Sequence, residues 1–455
     1  MGVQQVLLHP DTETKAILRY LCEQSGKLYN NGVYFARQTF FKTGKLLTGK
    51  FDLDFEPSVA KTLTAQSLPS TPMQQTLRSV TEAFKSFKEL RALFLSGQLH
   101  FKPQVPNYLT GSKLFKVAYP NSGGQRPTLI DGKLRFSLGL TIRRWFGISE
   151  FFLPMPTNID YSKVKEFTIL PKNGAYYLEM SYEVTPQKYE LDINQALSID
   201  LGTADNLAAC VDTLGNSLLI DARAMKAMNQ LWNKKVATRK EAKSVGGSTP
   251  PDELCGKEQA YWDNWLDRVT RKRNYQMRDG INKAAKLIID HCLKHGIGTL
   301  VIGWNEGFKA NANIGRVQNQ KFVQMPLGKL KDRLKELCDL HGIRFQITEE
   351  SYTSKASYLD GDTLPVFGAK PEGWTASGKR FPRGLYRTAN GLIVNSDLNG
   401  AANILRKVAG NLGIDLSDLG RRCLTTAARV RLWHVRSNEP LLQSTLSAES
   451  QTQSG

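Results

Sequence analysis

The stretch "ALSIDLGTADNLAACVDTLGNSLLIDA", residues 196–222, constrains the fold more than any other part of the chain. It reads as three apolar strands in succession, joined by a tight turn at Gly202 and a hairpin through "DTLGN", with one acid, Asp200, at the end of the inner strand. From Ala196 to about residue 430, strand-like and helix-like patterns alternate, which specifies an α/β domain.

The preceding residues have other periods. Segments 12–40 and 66–95 carry apolar residues at helical spacing, whereas 100–190 shortens to pieces such as "KLRFSLGL", "EFTILP" and "AYYLEMSYEVTP" between Gly, Pro and Asn turns. The expected organisation is α/β plus all-β plus α in several domains. Residues 1–10 and 100–190 form a small β-barrel, and 11–99 a helical module. Residues 191–350 and 391–430 form the α/β domain, 351–390 an insert, and 431–455 a polar, disordered tail.

Charge narrows the partners. Sixty-one Lys and Arg against 42 Asp and Glu give a net charge of +19, which points to a polyanion and first of all to nucleic acid. "MGVQQVLLHP" has no basic leader pattern, and no apolar run approaches the roughly 20 residues that span a bilayer, so a cytoplasmic protein with no membrane partner is expected. The six cysteines form no CxxC pair, which fits a reducing compartment and core positions.

Against that charge, certain acids stand out by position. Asp200 ends an apolar strand, and Asp397 lies in the first turn of a helix, "NSDLNGAANILRKVAG", whose Asn399, Ala402 and Asn403 keep its surface small and polar. Each alone has an ordinary explanation, a turn residue or a helix-terminal acid worth about 0.3 to 1 kcal/mol. A third segment, "GIRFQITEESYTSK", alternates Ile343, Phe345 and Ile347 with polar residues and ends in Glu349 and Glu350. Successive strand residues face opposite ways, so while the strand persists only one of the pair reaches a given site.

"SIDLG", "TEESYTSK" and "NSDLNGAANILRK", in that order, resemble the three segments of the RuvC-type nuclease domain of TnpB, the transposon-encoded RNA-guided nuclease related to Cas12 effectors. "SLPSTPMQQTLRSVTEAFKSFKE" is similar to the helical recognition segment of that family, and the β unit sits where its wedge domain would, so the likeness covers most of the chain. The resemblance implies an RNase H-like (RuvC) nuclease domain beside a β-barrel wedge domain and a helical recognition module, with 351–390 as an insert that binds target nucleic acid. It implies a guide RNA and a target double-stranded DNA as partners, and a monomeric protein within a ribonucleoprotein, nucleoid-associated in a prokaryote. It also implies Mg²⁺-dependent endonuclease chemistry, with two ions held by Asp200, Asp397 and one further acid.

The chain departs from the family pattern twice. Where the common form has a Glu at the end of the strand equivalent to "GTLVIG", this chain has Gly303. Glu350, at the end of the neighbouring strand, is the expected replacement, as in some members of the family, and Glu306 in "WNEGFK" is its rival. The segment between "TSK" and "SDLNG" also lacks the family's four-cysteine ribbon, so no thiolate zinc site is expected there. Turns and packing of Phe367, Trp374, Phe381 and Tyr386, or a ligand, must order it instead. His291, His295, Cys338 and His341 have ligand-like helical spacing but read as helix-end and core residues.

The candidate nucleic-acid contacts are Arg268, Arg271, Lys272, Arg273 and Arg278 on a long helix expected over 256–295, Lys379, Arg380, Arg383 and Arg387 in the insert beside Phe381 and Tyr386, and Arg143 and Arg144 beside Trp145. At least half of the helical cations are accounted for as a solvated face, and Trp145 with Phe146 equally suits a barrel core. The leading expectation is an RNA-guided DNA endonuclease. The alternatives are a guide-directed DNA-binding protein that does not cut, which Gly303 favours, and a guide-independent RNase H-like nuclease, against which the N-terminal modules speak.

Overall fold

The computed structural model describes all residues except 111–112, 122–123, 203–204, 246–255, 306–324, 383 and 434–455, together with the side chains of 240–263. The chain divides into two compact units, Met1–Thr185 with Leu254–Arg268, and Pro186–Glu253 with Val269–Gly455.

In the first unit, the helix Thr12–Thr43 starts where the Asp11 carboxylate accepts the Thr14 N–H at 2.7 Å, and ends at Gly44 with φ of 71°. Its Leu18, Leu21, Leu28 and Val33 share a core with Leu77, Val80 and Phe84 of the helix Ser70–Leu95. The β residues make two antiparallel sheets. One has the order β1 (Gly2–Leu7), β7 (Ala175–Tyr182), β6 (Val164–Lys172), β2 (Val117–Pro120), and the other runs β3 (Thr128–Ile130), β4 (Lys133–Ser137), β5 (Glu150–Pro154). Alternation turns Leu134 and Phe136 inward and Lys133 and Arg135 outward. Phe136 stacks on Phe151 at 5.1 Å and meets Tyr119 edge-on at 5.0 Å. Helices and sheets thus share one core, so the two segments separated by their periodicity form one unit.

The second unit is built on a six-stranded sheet ordered β12 (Arg344–Thr348), β11 (Ile297–Gly303), β8 (Asp192–Leu201), β9 (Asn206–Asp212), β10 (Ser217–Asp221), β16 (Ala428–Arg431). β8, β9 and β10 form the antiparallel meander, β11 lies parallel to β8 and β12 to β11, and β16 lies parallel to β10. Alternation sorts β8: Leu197 and Ile199 join the core made with the helices Gly256–Lys294 and Leu327–His341. Ala196 faces the other core, made with Leu398, Ala401, Ile404 and Leu405 of the helix Ser396–Leu412. Four residues further on, Asp200 must share that second face.

The chain's end departs from the expected tail at 431. Arg431 completes β16 on the β10 edge, Leu432 is buried, and the Trp433 indole N–H donates to Asp279 at 2.9 Å. The alternating "ARVRLW" has an unpaired strand edge to complete, so packing continues through 433, and the remainder of the expected tail lies outside the described residues. No helix among the described residues is long and apolar enough to cross a membrane.

The insert carries a small antiparallel sheet, β13 (Lys379–Phe381), β14 (Leu385–Arg387), β15 (Ile393–Asn395). Tyr386 is fully buried and its hydroxyl donates to the Lys355 carbonyl at 2.8 Å. Two carboxylates gather the loops: Asp362 Oδ2 accepts the Ser357 and Ser377 N–H groups at 2.7 and 3.1 Å, and Asp360 Oδ2 accepts the Ala389 N–H at 2.8 Å. Phe367, expected to pack, is instead 79% exposed. Asp362→Ala removes two charge-assisted bonds and is expected to lower the insert's local stability by about 1–3 kcal/mol. Hydrogen exchange across 357–389 should quicken, while β8, β9 and β11 keep their protection.

Candidate active site

Asp200, Glu350 and Asp397 line one cleft of about 560 Å³, together with Asn206, Asn305, Lys355, Phe367 and Arg380. Three remote segments supply the acids, and each arrives for a local reason. Asp200 comes from β8, on the face covered by the helix Ser396–Leu412. That helix lies close: the Ser198 hydroxyl donates to the Ala401 carbonyl at 2.8 Å, and a Cβ on Gly400 would collide with Asp200 Oδ2. A larger residue at 400 would push the Asp200 carboxylate from its present place.

Asp397 sits one turn earlier. Asn395 caps the helix by accepting the Asp397 and Leu398 N–H groups at 3.0 and 3.1 Å, which fixes where the Asp397 side chain emerges.

Glu350 follows the end of β12, where Thr348 is paired with Gly303. Its N–H donates to Asn305 Oδ1 at 3.2 Å, and its carbonyl accepts the Thr353 hydroxyl at 2.8 Å. A Cβ built on Gly303 would stand 2.5 Å from Ile404 Cδ1 and 3.2 Å from Glu350 Cβ. Ile404 therefore takes the space that a side chain at 303 would need, with Glu350 close beside it. Its neighbour turns elsewhere: Glu349 accepts from Lys407 Nζ at 2.8 Å and from the Ser351 N–H at 2.8 Å, a separate pair outside the cleft lining. The rival acid, Glu306, lies outside the described residues.

The electrostatics follow from crowding. Burial pushes the Asp200 carboxyl up to about 8, with the negative charges of Glu350 and Asp397 adding to the shift and Arg380 opposing it. Burial also raises Glu350, helped by Glu349 and opposed by Lys407. Among the described residues no three His, Cys, Asp or Glu side chains are drawn together as a ready-made ligand cluster. Three carboxylates outnumber Lys355 and Arg380 in the lining, and their oxygen donors suit a hard divalent cation.

The Asn residues of the helix hold the cleft's rim. Asn399 Nδ2 donates to the Ala356 carbonyl at 2.8 Å while its Oδ1 accepts the Tyr358 N–H at 3.0 Å; Asn403 Nδ2 donates to the Thr353 and Ala356 carbonyls at 2.9 and 2.8 Å. Sequence reading noted these residues as small and polar but missed that they bind the "TSKAS" loop. It also missed Gly400, although "LNGAAN" carries the signal.

The candidate cations separate. Arg380 lines the cleft; Lys379 and Arg387 are exposed nearby, with Arg387 over the Phe381 ring at 4.9 Å. Arg383 lies outside the described residues, and Tyr386 is buried, so it offers no stacking face. On the long helix, Arg268, Lys272 and Arg278 are exposed and Arg271 is half-buried, but Arg273 is committed: its Nε and Nη2 donate to Asn229 Oδ1 at 2.9 and 2.7 Å. Arg143 and Arg144 are exposed, and Trp145 beside them is 63% exposed, a surface residue and not core. His291 bonds the buried Asp212 at 2.8 Å and Cys338 is buried, so both are packed within the fold.

Comparison with known proteins places these features. Residues 179–307 match the OrfB_IS605 family model, described as a probable transposase. The chain is 24% identical over 433 residues to the TnpB-like protein ORF457 of Acidianus two-tailed virus, covering 89% of this chain and 86% of that one. The Cas12f1 chain of a solved Cas12f1–sgRNA–target DNA complex superposes with a TM-score of 0.54 at 15% identity, covering 87% of this chain and 83% of that one. The chain is thus similar along most of its length to a TnpB-like protein, and it shares the mixed, multidomain fold of the Cas12f1 chain.

Because Asp200 holds its proton well above the ordinary carboxylate range, the folded state binds more protons than the unfolded chain between about pH 4 and 8. Ionisation therefore costs stability as pH rises through that window. Asp200→Asn should be more stable than wild type by on the order of 1–2 kcal/mol at pH 8 without divalent cations, and equal at pH 4. Chemical denaturation at the two pH values, with and without Mg²⁺, measures this; Mg²⁺ should narrow the gap at pH 8 by stabilising wild type alone.

Proposed function

We propose that the protein is an RNA-guided DNA endonuclease with one RuvC-like, RNase H-like site, in which Asp200, Glu350 and Asp397 hold Mg²⁺, two ions in the working site. The observation that carries this reading is the convergence on one cleft of acids from residues 200, 350 and 397, lined also by Lys355 and Arg380. The antiparallel meander followed by two parallel strands on the β8 side supports an RNase H-like core. When bound, the metal supplies an activated water and neutralises charge at the departing oxygen of the phosphodiester.

The chain's own residues do the rest. Lys355 and Arg380 attract the phosphodiester into the cleft, and the exposed Phe367 gives a base a face on which to stack. The relative solved with sgRNA and target DNA supports a guide RNA and double-stranded target here. Arg143, Arg144 and Trp145 give the first unit an exposed basic and aromatic surface for one of them. A transposase in its own right would need a strand-transfer site, and no spacing in the sequence supplies one beyond these carboxylates.

The test begins with purification from the native locus and sequencing of the co-purified RNA. The ribonucleoprotein is then assayed on a plasmid carrying the guide's target. Cleavage should need Mg²⁺ and fall at least about 100-fold in Asp200→Ala, Glu350→Ala and Asp397→Ala, with DNA binding kept. Glu306→Ala should cut like wild type. Guide-directed binding without Mg²⁺-dependent cleavage would identify a binder, and cleavage without RNA a guide-independent nuclease; either contradicts the proposal.

A further inference from the structure

Asn206 opens β9 and is only 4% exposed. Its Nδ2 donates to Asp397 Oδ2 at 2.7 Å, and its Oδ1 accepts from Arg429 Nη1 at 3.0 Å. The amide can stand only one way round, because a guanidinium donates and never accepts, while a carboxylate accepts and does not donate. Arg429 is set in turn: it belongs to β16, held in register by the Arg429 to Leu219 pairing, and its Nη1 lies 3.8 Å from the carboxylate of Asp221, itself buried and bonded by Arg223. Among the described residues, the other oxygen of Asp397 accepts only the longer bond from the Ser396 hydroxyl, at 3.2 Å.

We propose that Asn206 is the positioning residue of Asp397, and that Arg429, from the last strand of the sheet, fixes the amide that does the positioning. The series Asp221, Arg429, Asn206, Asp397 ties one oxygen of Asp397 to the sheet and leaves the other to face a cation. This rests on the reading of the cleft as a cation site. It assigns the C-terminal strand a task beyond capping the sheet edge: without β16 the amide of Asn206 loses its anchor, and the Asp397 carboxylate regains its rotation.

The test uses the assembled ribonucleoprotein and Mn²⁺ as probe, with bound Mn²⁺ followed by electron paramagnetic resonance apart from any cleavage. Asn206→Leu should weaken Mn²⁺ binding about 10- to 100-fold and raise the Mg²⁺ concentration for half-maximal cleavage by the same factor. Guide and target affinities should stay at wild type. Arg429→Leu, at a half-exposed residue, should shift both readouts the same way and carries the test if Asn206→Leu folds poorly. Arg429→Gln, whose amide can still donate to Asn206, should recover most of the loss. Asp397→Ala is the reference. If it loses Mn²⁺ while Asn206→Leu and Arg429→Leu bind and cut with wild-type metal dependence, the positioning role is overturned and the cation site stands. If Asp397→Ala itself binds Mn²⁺ like wild type, the cation site fails and the inference with it.

Discussion

The second unit depends on how closely the helix Ser396–Leu412 lies on the sheet. Gly400 lets its backbone pass Asp200, the Ala401 carbonyl takes the Ser198 hydroxyl, and Asn399 and Asn403 bind the loop after Glu350. One helix thus touches all three segments that bring acids to the cleft, and its first turn supplies one of the acids. Larger residues would raise the helix off the sheet and open a gap that packed interiors do not tolerate. The small and polar composition of "SDLNGAAN" is the sequence expression of that closeness.

The same packing bears on Gly303 of β11. Ile404 descends onto β11 where a side chain at 303 would stand, and Glu350 Cβ closes the remaining space. A side chain at 303 would meet Ile404 first and crowd Glu350 Cβ, so Gly303 suits the present packing of both. Just past the end of β12 the two adjacent acids part: Glu349 turns to Lys407, whereas Glu350 lines the cleft. Burial raises the Asp200 carboxyl, and the negative charges of Glu350 and Asp397 add to it.

Much of this was legible in the sequence, because alternation and helix period are local signals. The meander at 196–222 and the long helix expected over 256–295 follow from periodicity, whereas the choice of Glu350 over Glu349 rests on the family resemblance. What was not legible depends on distant partners. Tyr386 sits in a basic, aromatic run that looks like a stacking surface, yet its ring is buried and its hydroxyl bonds Lys355. Arg273 belongs to a cationic helix face, yet Asn229 of another helix takes its guanidinium. Nothing in the sequence singled out Asn206, because its partners, Asp397 and Arg429, are about 200 residues away. The insert's closure by Asp360 and Asp362 was hidden for the same reason: "DGD" signals a turn, and only the folded chain shows which N–H groups return to it.

The central claim is that Glu350 completes a cation site begun by Asp200 and Asp397. Anomalous diffraction from crystals of the ribonucleoprotein soaked in Mn²⁺ tests it most directly. The account predicts anomalous density in this cleft, with carboxylate oxygens of Asp200, Glu350 and Asp397 each within about 2.5 Å of a Mn²⁺ position. Mn²⁺ held by Asp200 and Asp397 with Glu306, and Glu350 turned away, would contradict it.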